Sequence, residues 1–383
     1  MKKISILFNI PNGNKWIGGI YYLKNIMFIL SQNVSISKKV NIIIRVDDNI
    51  KVFDCLNKLD FIKIINVKHK SRFRDIAELC RTIFSYKIKY IYNVSVRNKI
   101  IFYKLLGVMP IAWIPDFQHN YYKNFFSEEE VKTRTEQYSQ IQKSNVPLVL
   151  SSNACKSDFI KFYGDRSGIY VVPFVSYIEP ELEELDDEAE EATLQKYDIR
   201  RGGYACISNQ FWQHKNHIVI LKAIKRRHYD LGNFKFVFTG YPKDYRNPEY
   251  YNLLIKYMED PEVKPHIKVL GFVERIEQLT IMKNSKFIIQ PSLFEGWGTV
   301  VEDAKVLDKD ILLSDIPVHR EQMNEKCVLF NPHNDEELAA KIKSMINKEY
   351  HDNIDHGLKD MYERAKIYSR EFEQLLSDNG KKL

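Results

Sequence analysis

The sequence lacks the cysteine patterns of a disulfide framework or a zinc cluster. Its five cysteines are scattered without a CxxC pair, which favours a reducing compartment. The apolar stretch at the N-terminus ends after about eight residues at Pro11, and no stretch of the chain reaches the roughly 18 apolar residues of a membrane span. We therefore expect a cytoplasmic protein without a membrane-spanning segment. The five cysteines are Cys55, Cys80, Cys155, Cys206 and Cys327.

Acidic residues are scarce in the first third of the chain. Residues 1–120 contain 20 Lys and Arg but only 7 Asp and Glu, whereas residues 179–191 contain nine acids. Aromatic residues accompany the basic ones in "KHKSRFRDIAELCRTIFSYKIKYIY". Such a composition suits a membrane surface, a phosphate-bearing lipid or a nucleic acid, and also an ordinary solvated face.

Short apolar runs alternate with helical patterns along the whole chain, which predicts two α/β domains with parallel sheets. The acidic stretch interrupts this rhythm, so we place a linker with an exposed helix there. The predicted domains are residues 1–178, with a final helix at about 363–383 crossing back to them, and residues 201–362, with the linker at 179–200. The predicted strands are "KISILFNI", "VNIIIRV", "FIKIINV", "KYIYNV", "IAWIPD", "VPLVLSS" and "IYVVPF" before the linker, and "YACISN", "KFVFTG", "HIKVLGFV", "KFIIQPS", "DILLSD" and "CVLFNP" after it.

The stretch "SLFEGWGTVVEDAK", residues 292–305, has the strongest chemical signal. Gly296 and Gly298 allow a ligand to approach the backbone, and Thr299 begins a helix whose free N–H groups suit a phosphate. Asp303 on that helix and Glu295 before it can accept hydrogen bonds from neutral hydroxyls on either side. Ribose, diphosphate and hexose in one ligand describe a nucleotide sugar.

Lys215 in "SNQFWQHKNH" follows a strand of the same predicted domain and could neutralise the diphosphate. Each of these features also has an ordinary structural explanation. Glu295 could be a loop acid, Asp303 a surface acid stabilised by the helix dipole, and Lys215 an exposed lysine.

Four segments in this order, "SNQFWQHKNH", "GFVERIEQL", "PSLFEGWGTVVEDAK" and "SDIPVHREQ", resemble the retaining glycosyltransferases of family 4, which have the GT-B fold. The resemblance implies two Rossmann-like domains facing a cleft. It also implies contacts from Glu295 to the donor sugar, from Asp303 to the ribose and from Lys215 to the diphosphate. Further donor-binding positions implied by the matching segments are Gly19, Asn209, Gln210, Phe272, Val273, Gly296, Trp297, Gly298 and Thr299, with His119 near the donor sugar.

Two positions depart from the family pattern. The family's two acids, which have seven residues between them, are usually both glutamates, but here the second is Asp303, and Glu302 lies one position earlier. The arginine that commonly stands five positions before the lysine is replaced by Gln210, which removes one cation from the leaving-group site.

The resemblance implies a hexosyltransferase that moves sugar from a nucleotide-diphosphate donor to a glycan or lipid-linked glycan in bacterial surface-polysaccharide synthesis. We expect no metal or other cofactor and no nucleic-acid partner, but contact of the basic domain with the cytoplasmic face of the inner membrane. A nucleotide-sugar epimerase and a non-catalytic nucleotide- or glycan-binding protein are the alternatives. A nicotinamide dehydrogenase is disfavoured because "ISILFNIPNGNKWIGG" lacks the compact GxGxxG fingerprint.

The segment Asp308-Lys309-Asp310 matches the DxD signature with which other glycosyltransferases hold a divalent cation. Nine helical residues after Thr299 place it roughly 14 Å from the phosphate, at the opposite edge of the sheet. We therefore predict that activity survives EDTA and the Asp308→Asn/Asp310→Asn double change, measured as sugar transfer. Activity that EDTA abolishes and manganese or magnesium restores, and that the double variant lacks, would overturn this placement.

Overall fold

The computed structural model describes residues 3–10, 17–47, 53–67, 71–93, 97–244 and 246–380. The chain forms two compact units. One consists of Met1–Asn120, Glu128–Tyr177 and Tyr362–Leu383, and the other of Tyr121–Ser127 and Ile178–Met361. Each unit is a Rossmann-like α/β domain with one parallel sheet, which confirms the predicted fold class.

The first unit contains a seven-stranded sheet with the order β3-β2-β1-β4-β5-β6-β7. Its central strands are buried on both faces, as expected of a parallel sheet covered by helices on both sides. The strands are β1 (Ile4–Ile10), β2 (Val40–Asp47), β3 (Ile62–Val67), β4 (Ile88–Tyr92), β5 (Met109–Ile114), β6 (Leu148–Leu150) and β7 (Ile169–Val171). The helices between them are α1 (Ile17–Ser31), α2 (Val34–Lys39), α3 (Arg72–Ser85), α4 (Arg97–Leu105), α5 (Gln118–Tyr121), α6 (Glu128–Gln142) and α7 (Asn153–Tyr163).

The second unit contains a six-stranded sheet with the order β10-β9-β8-β11-β12-β13. A cluster of buried aromatic and aliphatic side chains, including Phe236, Phe238 and Phe287, forms its core. The strands are β8 (Tyr204–Ser208), β9 (Lys235–Thr239), β10 (Ile267–Gly271), β11 (Phe287–Gln290), β12 (Ile311–Ser314) and β13 (Cys327–Phe330). The helices are α8 (Glu179–Leu182), α9 (Asp187–Lys196), α10 (His217–Arg227), α11 (Pro248–Met258), α12 (Arg275–Lys283), α13 (Thr299–Val306), α14 (Pro317–Gln322) and α15 (Asp335–Ile346).

The last helix, α16 (Asp355–Gly380), returns the end of the chain to the first unit. The Tyr90 hydroxyl donates to the Leu376 carbonyl at 3.1 Å, and the Ser369 hydroxyl donates to the Ile29 carbonyl at 3.2 Å. An ion pair of 2.8 Å joins Lys39 to Glu373. Residues more than 280 positions apart in sequence therefore complete this unit together.

The acidic stretch differs from the exposed helix that its composition predicts. Glu190 on α9 is buried and accepts hydrogen bonds from Lys283 and Asn284, while Leu194 packs in the interior. One face of α9 is therefore anchored to α12, because the carboxylate finds basic and amide partners there. Residues 121–127, which the sequence places in the first domain, lie in the second unit. None of the helices in the described part of the chain is long and apolar enough to cross a membrane.

Gly240, at the carboxyl end of β9, has a φ of +113°, and a Cβ there would lie 2.4 Å from the Asn209 carbonyl oxygen. We predict that Gly240→Ala lowers the free energy of unfolding by more than Gly232→Ala does, measured by urea denaturation. Gly232 also has a positive φ, +53°, but has open space around its Cα. The control therefore includes the ordinary left-handed backbone penalty, about 1–2 kcal/mol, without the clash and without the φ of Gly240, which lies outside the left-handed α region. Equal losses in both variants would show that the close approach of β8 and β9 is not required.

Candidate functional site

Two loops at the carboxyl edge of the second sheet are tied together by their backbones. The Leu293 N–H donates to the His214 carbonyl at 2.7 Å. Asn216, with a left-handed φ of 55°, donates its side-chain amide to the Pro291 and Pro332 carbonyls. Since asparagine tolerates this conformation and carries its own donors, it fixes both loops at once.

This junction brings Lys215 and Glu295 into direct contact, although 80 residues separate them in sequence. The Lys215 Nζ donates to the Glu295 Oε1 at 2.5 Å, and the Ser292 hydroxyl donates to the same oxygen at 2.6 Å. The Gln290 amide donates to it at 3.1 Å. Gln290 in turn exchanges hydrogen bonds with the side-chain amide of Asn209. We call Asn209, Lys215, Gln290, Ser292 and Glu295 the Glu295 network.

The second carboxylate oxygen of Glu295 remains open to a ligand. All three donors reach Oε1, and within the described residues Oε2 receives no hydrogen bond. The Glu295 side chain is 10% exposed. Hydrogen bonds to Oε1 therefore fix the orientation of the Glu295 side chain, while Oε2 can accept a hydrogen bond from a hydroxyl group of a ligand.

Helix α14 supports this loop from behind. The Ser314 hydroxyl donates to the Ser292 carbonyl at 2.6 Å, and the His319 Nδ1 donates to the Ser314 carbonyl at 2.9 Å. Burial lowers the pKa of His319 to about 4, against a smaller opposing effect of Glu295. His319 is therefore neutral near pH 7, and support of the loop costs no buried positive charge.

Asp303 faces a different part of the sheet edge, where an arginine holds it. The Arg275 guanidinium donates to both carboxylate oxygens at 2.7 Å, a bidentate arrangement in which both side chains are largely buried. Arg275 also donates to Gln278, and Gln278 donates to the Ser208 hydroxyl. We call Ser208, Arg275, Gln278 and Asp303 the Asp303 network.

Glu302, the adjacent acid, points to α14. It is fully buried and accepts a hydrogen bond from the Gln322 amide at 2.9 Å. The same Gln322 side chain accepts from the Gly298 N–H at 2.9 Å and donates to the Gly298 carbonyl at 3.0 Å. The Glu302 carboxylate therefore belongs to the support of the turn.

These contacts change the expected phosphate site at the start of α13. The Gly298 N–H, which the resemblance assigns to the phosphate, is engaged by Gln322. The Thr299 and Val300 N–H groups have no hydrogen-bond partner in the described part of the chain. They lie in the first turn, where a helix leaves its amides free. An anion at this helix would therefore meet Thr299 and Val300 first.

The remaining positions that the resemblance assigns to the donor in this unit lie after β8, after β10 and in the turn before α13. Asn209 is buried in the Glu295 network, and Gln210 beside it is half-buried. Val273 is buried, but Phe272 is exposed and its ring stacks on Tyr241, with centroids 4.9 Å apart. Tyr241 and Phe272 thus form an exposed aromatic surface at the ends of β9 and β10. In the turn before α13, Gly296 is buried and Trp297 half-buried.

His119 and Gly19 belong to the first unit. His119, on α5 after β5, is fully buried, with Nε2 3.3 Å from the Tyr163 hydroxyl and its ring against Tyr138. Gly19 is buried near the start of α1. Neither residue is part of the Glu295 network or the Asp303 network.

The DxD segment lies where the sequence places it, in the turn between α13 and β12. Asp308 contacts Lys326 at 2.5 Å and Asp310 contacts Lys348 at 3.1 Å. Among the described residues there is no group of three or more histidines, cysteines and acids that could hold a metal ion. Both aspartates are therefore neutralised by lysines in the structure.

Sequence reasoning missed several residues of the site. Gln290 ends a strand next to the predicted loop, and this position was a usable signal. Arg275 and Gln322 lie on α12 and α14, and their contacts with the loop and helix of residues 295–303 depend on the packing of those helices. Arg246 also joins the edge, since its guanidinium lies 4.5 Å from the Trp212 ring.

Solved structures show the same fold over nearly the whole chain. A glycosyltransferase from Rickettsia africae ESF-5 has a TM-score of 0.68 at 18% identity, covering 100% of this chain and 98% of the other. Anabaena Alr3699/HepE in complex with UDP-glucose has a TM-score of 0.73 at 14% identity, covering 98% and 100%. The UDP-GlcNAc 2-epimerase of Methanocaldococcus jannaschii has a TM-score of 0.56 at 15% identity, covering 96% and 100%. At these identities the likeness shows the fold, which is that of the GT-B glycosyltransferases.

No curated protein sequence matches the chain. Residues 190–371, somewhat less than half of the chain, match the family model described as Glycosyl transferases group 1. The match contains the whole Glu295 network and the whole Asp303 network. This part of the chain is therefore similar to the glycosyl transferase group 1 domains.

Proposed function

We propose that the protein is a retaining glycosyltransferase that moves a hexose from a nucleotide-diphosphate sugar to a glycan or lipid-linked glycan acceptor. The observation that carries this proposal is the Lys215–Glu295 pair at the carboxyl edge of the second sheet. It lies within the part of the chain that is similar to the glycosyl transferase group 1 domains, close in sequence to the free amides of α13.

Lys215 and Glu295 provide contacts for two different parts of the donor, the diphosphate and the sugar. Lys215 is 16% exposed and can turn part of its hydrogen-bonding capacity to a diphosphate, which an ammonium group with three donors allows. Glu295 keeps Oε2 for a hydroxyl of the sugar. The Thr299 and Val300 amides and the dipole of α13 add positive potential for the phosphate. Negative charge that develops on the leaving diphosphate then meets groups already in place.

The Asp303 network suits the ribose. Each carboxylate oxygen accepts a hydrogen bond from Arg275, and an ionised carboxylate oxygen can accept more than one, so ribose hydroxyls can share the group with the arginine. Arg275 holds the shorter aspartate side chain in one orientation, so binding a diol costs less side-chain entropy. Arg275 is a positioning residue in this proposal, and Tyr241 and Phe272 offer a surface to the base.

The finer parts of the proposal follow the family resemblance. The transfer proceeds on one face of the sugar, and the departing phosphate assists deprotonation of the acceptor, so no protein nucleophile is required. Lys215 and the helix dipole supply the charge neutralisation, without a metal. The UDP-glucose complex of the Anabaena neighbour supports a nucleotide sugar as donor. The proposed pathway is bacterial surface-polysaccharide synthesis, at the cytoplasmic face of the inner membrane.

We predict that Glu295→Gln and Lys215→Ala each reduce sugar transfer by about 10²–10³-fold or more, because each removes a charge placed where the reaction develops its own. The measurement begins with a thermal-shift panel of UDP, GDP and their sugars, since a ligand that binds the native state raises Tm. Transfer to a lipid-linked glycan fraction is then followed with the donor that raises Tm. Glu249→Gln and Lys222→Ala, on exposed helical positions of the same unit, are the matched controls.

The double variant Lys215→Ala/Glu295→Gln separates catalysis from structure. If the pair only stabilises the loop, removing both charges restores activity relative to the single variants. Continued inactivity with a recovered Tm supports the proposal. Conversion of the donor to an epimer without acceptor would instead identify an epimerase, and nucleotide-sugar binding without turnover would identify a binding protein.

We predict that Asp303→Asn weakens nucleotide binding and abolishes the preference for a ribose over a 2′-deoxyribose nucleotide diphosphate. Arg275→Met removes the bidentate cationic partner of a buried carboxylate, so it costs about 3–5 kcal/mol of stability as well. The double variant Arg275→Met/Asp303→Asn should regain stability but not ribose discrimination. Binding is measured by calorimetry and stability by urea denaturation. If Glu302→Gln loses the preference while Asp303→Asn keeps it, the assignment of the ribose acid is wrong.

A further inference from the structure

Helix α3 in the first unit exposes large apolar side chains to solvent. Phe73 is 86% exposed and Phe84 is 63% exposed, and Ile76 is exposed as well. Phe73 and Phe84 are eleven residues apart, about three helical turns, so they lie on one line, with Ile76 about 60° to one side. Beside this line, α3 is buried through Ile83, Leu79 and Thr82, which lie about 80°, 120° and 180° around the helix from Phe73. Phe73, Ile76 and Phe84 therefore form an exposed apolar stripe on a helix whose other side is buried in the first unit.

Helix α4 extends this surface. Leu105 is 82% exposed, and Ile101, one turn earlier on the same face, is also exposed. The sheet order places the connections β3 to β4 and β4 to β5 in the same direction, and right-handed crossovers then put α3 and α4 on the same side of the sheet. Burial raises the pKa of Tyr103 on α4 to about 12, and a smaller electrostatic effect of Cys80 on α3 in the same direction shows that the two helices are neighbours. We call Phe73, Ile76, Phe84, Ile101 and Leu105 the α3–α4 apolar face.

The segment that forms this face is rich in basic residues. Between residues 68 and 105 the sequence contains ten Lys and Arg but only two acids, Asp75 and Glu78. Arg74 and Arg81 are exposed along one flank of the α3 stripe, and Lys99 is exposed on α4. Large exposed apolar groups with a cationic border are typical of helices that lie in the interface of an anionic bilayer.

We propose that the α3–α4 apolar face is the surface through which this protein docks on an anionic lipid bilayer, with the phenylalanines in the acyl boundary and the arginines at the headgroups. A second copy of the chain would bring two strongly basic surfaces together. A nucleic acid would satisfy the cations but would leave Ile76, Ile101 and Leu105 in water. The bilayer is the occupant that matches both the charge and the hydrocarbon.

This proposal concerns the first unit and does not depend on the reaction. The proposed donor-binding residues tested above belong to the second unit. If the docking proposal is wrong, sugar transfer to a soluble acceptor is therefore unchanged. A failure of the glycosyltransferase proposal likewise leaves vesicle binding intact.

The test is flotation of the full-length protein with vesicles of phosphatidylcholine containing 30% phosphatidylglycerol, at low and at high salt. We expect binding that high salt weakens and that vesicles of phosphatidylcholine alone do not support. Phe73→Ser/Phe84→Ser should weaken binding about tenfold or more, because the variant loses the transfer of two aromatic rings from water into the acyl boundary. Arg74→Glu/Arg81→Glu should also abolish flotation at low salt.

Matched variants control for exposure and charge. Val34→Ser/Tyr229→Ser removes two apolar side chains of similar exposure, 62% and 68%, outside the face. Lys222→Glu/Lys256→Glu makes the same charge change at exposed positions of the second unit. Wild-type flotation of both controls supports the assignment. Flotation of Phe73→Ser/Phe84→Ser at the wild-type level would overturn it, as would equal loss in the controls. Binding to a DNA duplex that the arginine changes abolish and the phenylalanine changes leave intact would point to a nucleic acid instead.

Discussion

Parallel strands end at one edge of their sheet, and this constraint decides which residues of the second unit can act together. Loops after β8, β9, β10 and β11 all emerge at that edge. Lys215 and Glu295 meet there, and so do Arg275 and Asp303. Each acid thus meets a cation from a different loop or helix, so both charges are balanced before any ligand arrives. In the proposed reaction, a donor that carries its own negative charge would enter a site whose groups need little reorganisation.

The strand pattern of both units could be predicted from the sequence because parallel strands covered on both faces are short apolar runs. All thirteen predicted runs contain or overlap a strand. The burial of the acidic stretch, in contrast, does not follow from its composition. Its composition suggests a solvated helix, but Glu190 is buried because Lys283 and Asn284 lie opposite it. Whether a charged residue is buried depends on partners from distant parts of the sequence, and a local sequence pattern does not show which partners these are. The segment 121–127 is similar, since its membership of the second unit depends on contacts such as that of Tyr122 with Leu293.

For the candidate site, the sequence predicts groups that lie on one loop and its following helix. Glu295, Thr299 and Asp303 fall within nine residues, and their chemistry follows from a turn that precedes a helix N-terminus. The supporting residues could not be found in this way. Gln322 engages the Gly298 amide from 24 positions away, and Arg275 reaches Asp303 across 28 positions. The contact of Gln322 with both peptide groups of the turn also changes which amides remain for an anion. Which backbone amides remain available to an anion therefore depends on the packing of α14 against α13.

The return of α16 to the first unit affects the order in which the protein can fold during synthesis. Helix α16 supplies Tyr368, Phe372 and Leu376 to the interior of a unit whose sheet is made from residues 4–171. While the ribosome is still adding the second unit, all the strands of the first sheet have been made, but α16 has not yet been made to cover their apolar surface. The first unit is therefore made first but completed last, when α16 packs against it. Until residue 380 has left the ribosomal tunnel, that uncovered apolar surface is a place where chaperones or other nascent chains can bind.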